Sequence, residues 1–266
     1  MNLLKKSKYG LMIYNRKDVW VGRSFDLYGE YSEAEVQVWA DYLKPGNIVF
    51  DVGANTGSHT VAFSRLVGPT GSVFAFEPER TAFYALAGNV AINNLKNVYC
   101  YQQALGNENG SIRVPELDYD KTTNFGGVSL DADYSESPHY VVGMNKIDSI
   151  SLPRLDLVKI DVEGMEKVVL EGGVENINKF KPVLYVENDR ADKSEALIAF
   201  IKSLGYQIYS HTASLYNPNN FYENKDNVFV TPLEDGTYSQ YVSVNLYCCH
   251  GEPTINPEKF GMKKVD

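Results

Sequence analysis

Three short segments carry the residue types that chemistry needs. The first is Ile48-Val49-Phe50-Asp51-Val52-Gly53-Ala54-Asn55-Thr56-Gly57, an apolar run that enters a glycine loop. In a doubly wound sheet ligands lie beyond the carboxyl ends of the strands, and Gly53 and Gly57 allow backbone to approach a ligand closely. A dinucleotide fingerprint requires G-x-G-x-x-G, and Asn55 and Ser58 stand where its second and third glycines belong. The polar Asn55 suits the ammonium or carboxylate of an amino-acid moiety better than a pyrophosphate. An ordinary strand-to-helix turn is the bland alternative. The second segment, Val73-Phe74-Ala75-Phe76-Glu77-Pro78, ends a second apolar run in a carboxylate about twenty residues after the loop, where an acid accepts both hydroxyls of a ribose. Pro78 keeps that carboxylate at a strand tip rather than on a helix face. A solvated strand-end glutamate is the competing reading.

The third segment, Leu155-Asp156-Leu157-Val158-Lys159-Ile160-Asp161-Val162-Glu163-Gly164-Met165-Glu166, brings Asp161 and Glu163 to the same rim as Gly53. Asp161 there orients an amine or an acceptor, and Glu163 or Glu166 serves as a base or hydrogen-bond acceptor. Two alternatives compete: Asp161, Glu163 and Glu187 as oxygen ligands of a hard metal, and Glu166 as a plain helix-start acid. We expect no metal. His59 and His139 have useful pKa values for a base, but His59 begins a helix and His139 lies in a glycine-punctuated insert, so structural roles compete for both. Cys248, Cys249 and His250 lack a second ligand pair at a metal-binding spacing and read as a strand end.

The elements that position these residues alternate apolar runs with helical or mixed segments, as in a parallel sheet covered on both faces. Strands are expected at 48–52, 72–76, 98–103, 155–160 and 182–187, and helices at 60–67, 80–93 and 191–204. Residues 106–150, rich in Gly and Pro, are expected to form strands and loops. Runs at 207–211, 227–231 and 240–248 extend the sheet in antiparallel fashion. Upstream, residues 9–31 read as a hairpin broken at 15–18, followed by a helix that Ser32 caps and Lys44-Pro45-Gly46 stops. The fold class is therefore α/β, Rossmann-like, with a mostly parallel central sheet, an antiparallel C-terminal extension and an N-terminal hairpin plus helix. The expected organisation is a lead-in over 1–44, one domain over 45–250 with its insert at 106–150, and a loosely held tail over 251–266.

Composition narrows the function. The 266 residues include 25 Lys and Arg against 34 Asp and Glu, a formal charge of −9, which opposes attraction to nucleic acid or anionic membranes. With 44% hydrophobic residues the chain has material for a substantial core. Near the N-terminus, Lys5, Lys6 and Lys8 precede an apolar stretch too short for a signal segment or a membrane span, so a cytoplasmic protein with reduced cysteines is expected.

Together the motifs resemble the FkbM-type methyltransferases, class I enzymes that use S-adenosylmethionine and mostly methylate hydroxyl groups. The resemblance spans roughly residues 45–235. It rests on the loop 51–57, Phe76-Glu77-Pro78, Asn93-Asn94, Gln103-Ala104-Leu105-Gly106, Asn124-Phe125-Gly126-Gly127, Lys159-Ile160-Asp161-Val162-Glu163-Gly164, and Lys181-Pro182 leading to Glu187. It implies a cofactor site of Asp51, Gly53, Asn55, Thr56, Gly57, Glu77, Gln103, Ala104 and Asp161, with Gln103 and Ala104 near the adenine. Asp161 and Glu163 are the expected catalytic residues. The implied acceptor is a hydroxyl on a sugar, glycoconjugate or small metabolite. An NAD-dependent oxidoreductase and a non-catalytic binding protein of the same fold are the rival readings.

Overall fold

A computed structural model describes residues 2–233 and 237–266; positions 234–235, at the far end of the resembling segment, lie outside the described residues. The chain opens with a hairpin, β1 (Asn2–Lys6) and β2 (Leu11–Asn15), followed by α1 (Val21–Tyr28) and α2 (Glu33–Tyr42). Next come β3 (Ile48–Val52), α3 (Ser58–Val67), β4 (Ser72–Phe76), α4 (Arg80–Ile92) and β5 (Val98–Tyr101). Then come β6 (Gln103–Leu105), just before the insert, and, within it, β7 (Gly110–Pro115) and β8 (His139–Asn145). The domain continues through β9 (Leu157–Ile160), α5 (Glu166–Glu171), α6 (Val174–Phe180), β10 (Val183–Glu187), α7 (Ala191–Ser203) and β11 (Gln207–Ser214). It ends with β12 (Val230–Pro232), β13 (Tyr238–Gln240), β14 (Val242–Cys249) and β15 (Lys263–Lys264).

The central sheet has the order β15-β11-β14-β10-β9-β3-β4-β5. From β10 to β5 all pairings are parallel, while β14 runs antiparallel to both β10 and β11. The strands β3 and β9 are buried along their whole length, which is why their sequences are apolar on both faces and do not alternate, apart from Asp51 and Lys159, which face each other. Trp39, Phe63 and Val61 pack beneath α2 and α3 on one face. Val169, Ile177, Leu197 and Ile201 from α5, α6 and α7 cover the other. The order of connection reverses between β3 and β9, and a crevice opens at such a switch point beyond the strand ends.

Several local expectations are corrected. The hairpin turns at residues 7–10, not 15–18, and the apolar residues Val21 and Phe25 lie on α1. Val21, Phe25 and Tyr28 recur at helical spacing and are buried together, a period that the aromatic content of the segment masked. Ser32 starts α2 through its carbonyl, which accepts from Glu35 and Val36 N–H, and not through a side-chain cap. The expected strand 98–103 divides: 98–101 stays in the main sheet, while 103–105 pairs with β8 in a separate three-stranded sheet formed with the insert. The tail is anchored, with Ile255 and Met262 in the core and β15 paired with β11. All three cysteines are free, and Cys248 and Cys249 end β14 as expected of a strand end.

Candidate functional site

At the end of β3 the backbone turns sharply. Gly53 has φ +74°, and a Cβ there would lie 1.8 Å from the Asp161 carbonyl oxygen, so only glycine allows the loops after β3 and β9 to meet. Gly53 and Ala54 N–H both donate to the Phe76 carbonyl at 3.0 Å, tying this loop to the end of β4. Asn55, also left-handed at φ 51°, donates its N–H to Glu77 Oε2 at 2.7 Å. Glu77 Oε1 accepts Glu79 N–H at 2.8 Å, so the carboxylate is held by backbone and keeps further lone pairs for a ligand. Burial pushes the Glu77 pKa up to about 7 against these two N–H donors.

A cavity of about 290 Å³ runs from this carboxylate along the strand ends. Gly53, Asn55, Glu77, Gln103, Ala104, Asp161 and Glu163 line it, which unites most of the expected site. Asp51, Thr56 and Gly57 lie outside its wall among the described residues. Asp51 is fully buried below the loop, accepting from Thr60 Oγ1 at 2.6 Å and facing Lys159 Nζ at 3.4 Å. Thr56 offers its carbonyl to Asn89 Nδ2 at 2.8 Å, and Gly57 (φ +83°) starts α3. Asn89 was missed in the sequence: buried on α4, it also pairs with both backbone groups of Ile13 and so ties the hairpin to the loop.

Lys159, also missed, is the cation that organises the carboxylates. Its Nζ donates to the Gly53 carbonyl at 2.9 Å and lies 3.4 Å from both Asp51 Oδ1 and Asp161 Oδ2. Burial opposes its charge, but the surrounding acids override burial and hold the pKa above the usual lysine range. Beside it, single carboxylate oxygens of Asp161, Glu163 and Glu187 lie within 4.8 Å of one another. Glu163 Oε2 accepts from Arg190 at 2.7 Å; burial and the Asp161 charge still push its pKa up to about 7. Burial, then the Asp161 charge, pushes the Glu187 pKa strongly upward. Glu166 turns away and accepts Gly164 N–H at 2.9 Å and Val162 N–H at 3.2 Å, the helix-start role that competed with a catalytic one.

The remaining wall comes from the ends of the chain. Trp20, Tyr31, Glu35, His59, Leu215, Tyr241 and Ser243 line it together. Trp20 and Tyr241 meet edge to face at 4.7 Å. The insert contributes Asn124, Phe125 and Gly126 to the wall, held by Asp18, whose Oδ2 accepts Phe125 N–H at 3.2 Å. His59 is buried between Tyr31 and Trp39, and burial drives its pKa well below the ordinary value. His139 sits on β8 with Nδ1 against the Ser137 carbonyl, outside the cavity wall. Glu35 was legible only as a first-turn acid, although its spacing to Trp39 places both on one helix face.

Residues 51–208 match the methyltransferase FkbM domain. Among relatives, 31-O-demethyl-FK506 methyltransferase FkbM of Streptomyces tacrolimicus is 28% identical over 65% of this chain and 78% of its own. Hexuronic acid methyltransferase AglP of Haloferax volcanii is 26% identical over 59% of this chain, and Methyltransferase 1 of Beauveria bassiana 28% identical over 47%. The matches span only 60% and 58% of those two relatives. The fold is shared with a SAM-dependent O-methyltransferase of Thermotoga maritima, at TM-score 0.50, 12% identity, and coverage of 96% of this chain and 79% of the other. It is shared equally with precorrin-6y C5,15-methyltransferase of Geobacter metallireducens, at TM-score 0.50, 14% identity, and coverage of 82% and 87%. With the matched segment running from the end of β3 to the start of β11 and carrying the loops that form the crevice, the chain belongs to the FkbM methyltransferase family.

Proposed function

We propose that the protein transfers a methyl group from S-adenosylmethionine to a hydroxyl on a sugar, glycoconjugate or small metabolite. One observation carries this reading: a single cavity joins the Glu77 carboxylate and glycine loop to a carboxylate cluster and an aromatic wall. The donor set fits the cofactor. Glu77 has lone pairs left for two ribose hydroxyls, Gln103 and Ala104 border the adjoining wall, and Asp161 and Glu187 offer oxygens to an ammonium group. Bound there, S-adenosylmethionine supplies an electrophilic methyl on sulfur. The chain's own work is alignment: Lys159 holds Asp161, Arg190 holds Glu163, and the loop around Asn124 adds to the wall so that an acceptor is presented away from bulk water.

A hydroxyl acceptor suits a polar rim whose carboxylates accept its hydrogen bonds. The names of two relatives, one a hexuronic acid methyltransferase and one a 31-O-demethyl-FK506 methyltransferase, agree with that class. We further propose that the protein works in the cytoplasm without nucleic acid. Among the described residues no helix is long and apolar enough to cross a membrane. The test is a radiolabelled methyl-transfer screen over hexuronic acids, hexoses and small hydroxylated metabolites, with calorimetry of S-adenosylmethionine and NAD alongside. Labelled O-methyl product is expected; tighter binding of NAD, or an N-methyl product, overturns the reading.

A further inference from the structure

We infer that Glu35 of α2 takes the proton from the acceptor hydroxyl while the neutral imidazole of His59 holds the same oxygen. This rests on the methyl-transfer reading above. Glu35 is only 4% exposed yet stands on the cavity wall, outside the family-matched segment. Its Oε1 is fixed by Asn245 Nδ2 at 3.1 Å, and that amide also donates to Ser243 Oγ at 2.8 Å. Its Oε2 faces His59 Nε2 at 3.9 Å, and Nε2 is buried without a hydrogen-bond partner. That separation is too long for a direct hydrogen bond, but an oxygen set about 2.8 Å from each atom bridges them. A hydroxyl placed so donates to the carboxylate, accepts from Nε2–H and keeps its remaining lone pair for attack.

The step balances with the sulfonium methyl donor as co-reactant. The O–H bond breaks and its proton goes to Glu35 Oε2; the oxygen's pair forms the O–CH3 bond; the S–CH3 pair stays on sulfur, leaving a neutral thioether. Glu35 then returns its proton to water. The environment suits the task. Burial first, and the Asp161 charge second, push Glu35 up to about 7, against the Ser243 hydroxyl and Lys159. The titratable groups facing it are Tyr31 ahead of α2, His59 on α3, Asp161 and Lys159 at β9, and Tyr185 on β10. Both tyrosines are held protonated by burial, and His59 is held neutral by burial and by the Lys159 charge, so His59 donates rather than competing for the proton.

The experiment has two readouts. In ligand-free protein labelled with 13C at glutamate carboxyls, one resonance titrating near pH 7 is expected to vanish in Glu35→Gln. Using the fastest acceptor from the screen, Glu35→Gln should lower turnover on the order of 10²–10⁴-fold with cofactor affinity unchanged within about twofold. The wild-type rate should rise with pH through about 7 and the variant's should not, while Glu35→Asp recovers part of the rate. His59→Gln, which keeps an N–H donor, should chiefly raise KM. A Glu35 resonance at the ordinary carboxylate value, or a Glu35→Gln rate within threefold of wild type by the usual general-base scale, overturns the assignment. If the wild type methylates none of the screened compounds, the methyl-transfer reading itself fails and Glu35 falls with it.

Discussion

The two halves of the cavity wall are built in different ways. Around Gly53, Asn55, Glu77, Asp161 and Glu163 the wall consists of strand ends and the turns that follow them, each within a few residues of a buried strand. Around Trp20, Tyr31, Glu35, Leu215, Tyr241 and Ser243 it is assembled from the start and the last third of the chain. Asn217 and Phe221 meet Glu30, and Asn245 meets Glu35, across about two hundred positions of sequence. The first half is thus a property of the sheet, and the second a property of how the extensions dock on it. In the proposed reaction the first half holds the cofactor and the second the acceptor, so a fold kept constant can accept different substrates by changing its extensions.

That contrast can be broken by perturbing each half separately. Asp161→Asn removes a charge from the junction of the halves and should lower turnover by about 10²-fold or more, far more than it weakens cofactor binding, since the amide oxygen still accepts from the ammonium; steady-state kinetics beside calorimetry will show it. Equal losses in both would place Asp161 wholly on the cofactor side. Gly53→Ala forces a side chain into the Asp161 carbonyl at a left-handed φ and should destabilise the protein by about 3 kcal/mol in urea unfolding. Gly110→Ala, where a Cβ meets nothing within 4 Å, should stay within about 0.5 kcal/mol of wild type and serves as the control. Glu77→Ala should weaken S-adenosylmethionine binding by roughly 1.5 to 3 kcal/mol, the scale of a charge-assisted hydrogen bond.

A smaller effect follows from protonation. Glu35, Glu77 and Glu163 keep protons up to about pH 7 in the folded chain, mainly through burial, whereas unfolded carboxyls release theirs near pH 4.3. The folded state therefore binds more protons between about pH 4.3 and 7, and stability falls as pH rises across that window and levels off above it. His59 and His211, kept neutral by burial, act oppositely below about pH 6.5, so the net decline should be steepest between about pH 6 and 7, at roughly 1 kcal/mol per carboxyl. Thermal unfolding of the ligand-free protein across that range checks it, and Glu77→Gln should flatten the slope; a rise with pH would contradict the assignment. The smallest effect expected is none: removal of divalent metal by a chelator should leave the rate of methyl transfer intact. Lys159 and Arg190 already engage Asp161 and Glu163, although the carboxylate trio is compact enough to coordinate a cation. Loss of activity restored by magnesium or calcium would make Asp161, Glu163 and Glu187 ligands.

How much was legible depended on how far each residue's partners lie along the chain. The strands 48–52 and 72–76 were read to their observed limits because both lie inside the sheet and are predominantly apolar. The insert was correctly read as lacking an α-helix, since its glycines and prolines forbid a long one. The hairpin was misplaced because alternation and helical spacing overlap over short aromatic stretches, and tertiary packing of Phe25 against Tyr14 decided between them. Asp51, Thr56 and Gly57 belong to the recognisable loop, yet they support it from below rather than lining the cavity.

By itself the sequence determined the parallel core, the glycine turn at Gly53 and the carboxylates at the strand tips, because strand burial and backbone sterics are local demands that one segment meets alone. Tertiary structure alone decided that Lys159 serves Asp51 and Asp161 at once, that Glu187 crowds Asp161, and that Glu35 faces His59 inside the cavity. Those are electrostatic facts: the state of a charge depends on its burial and on neighbours delivered by other elements, and no spacing along the chain encodes them.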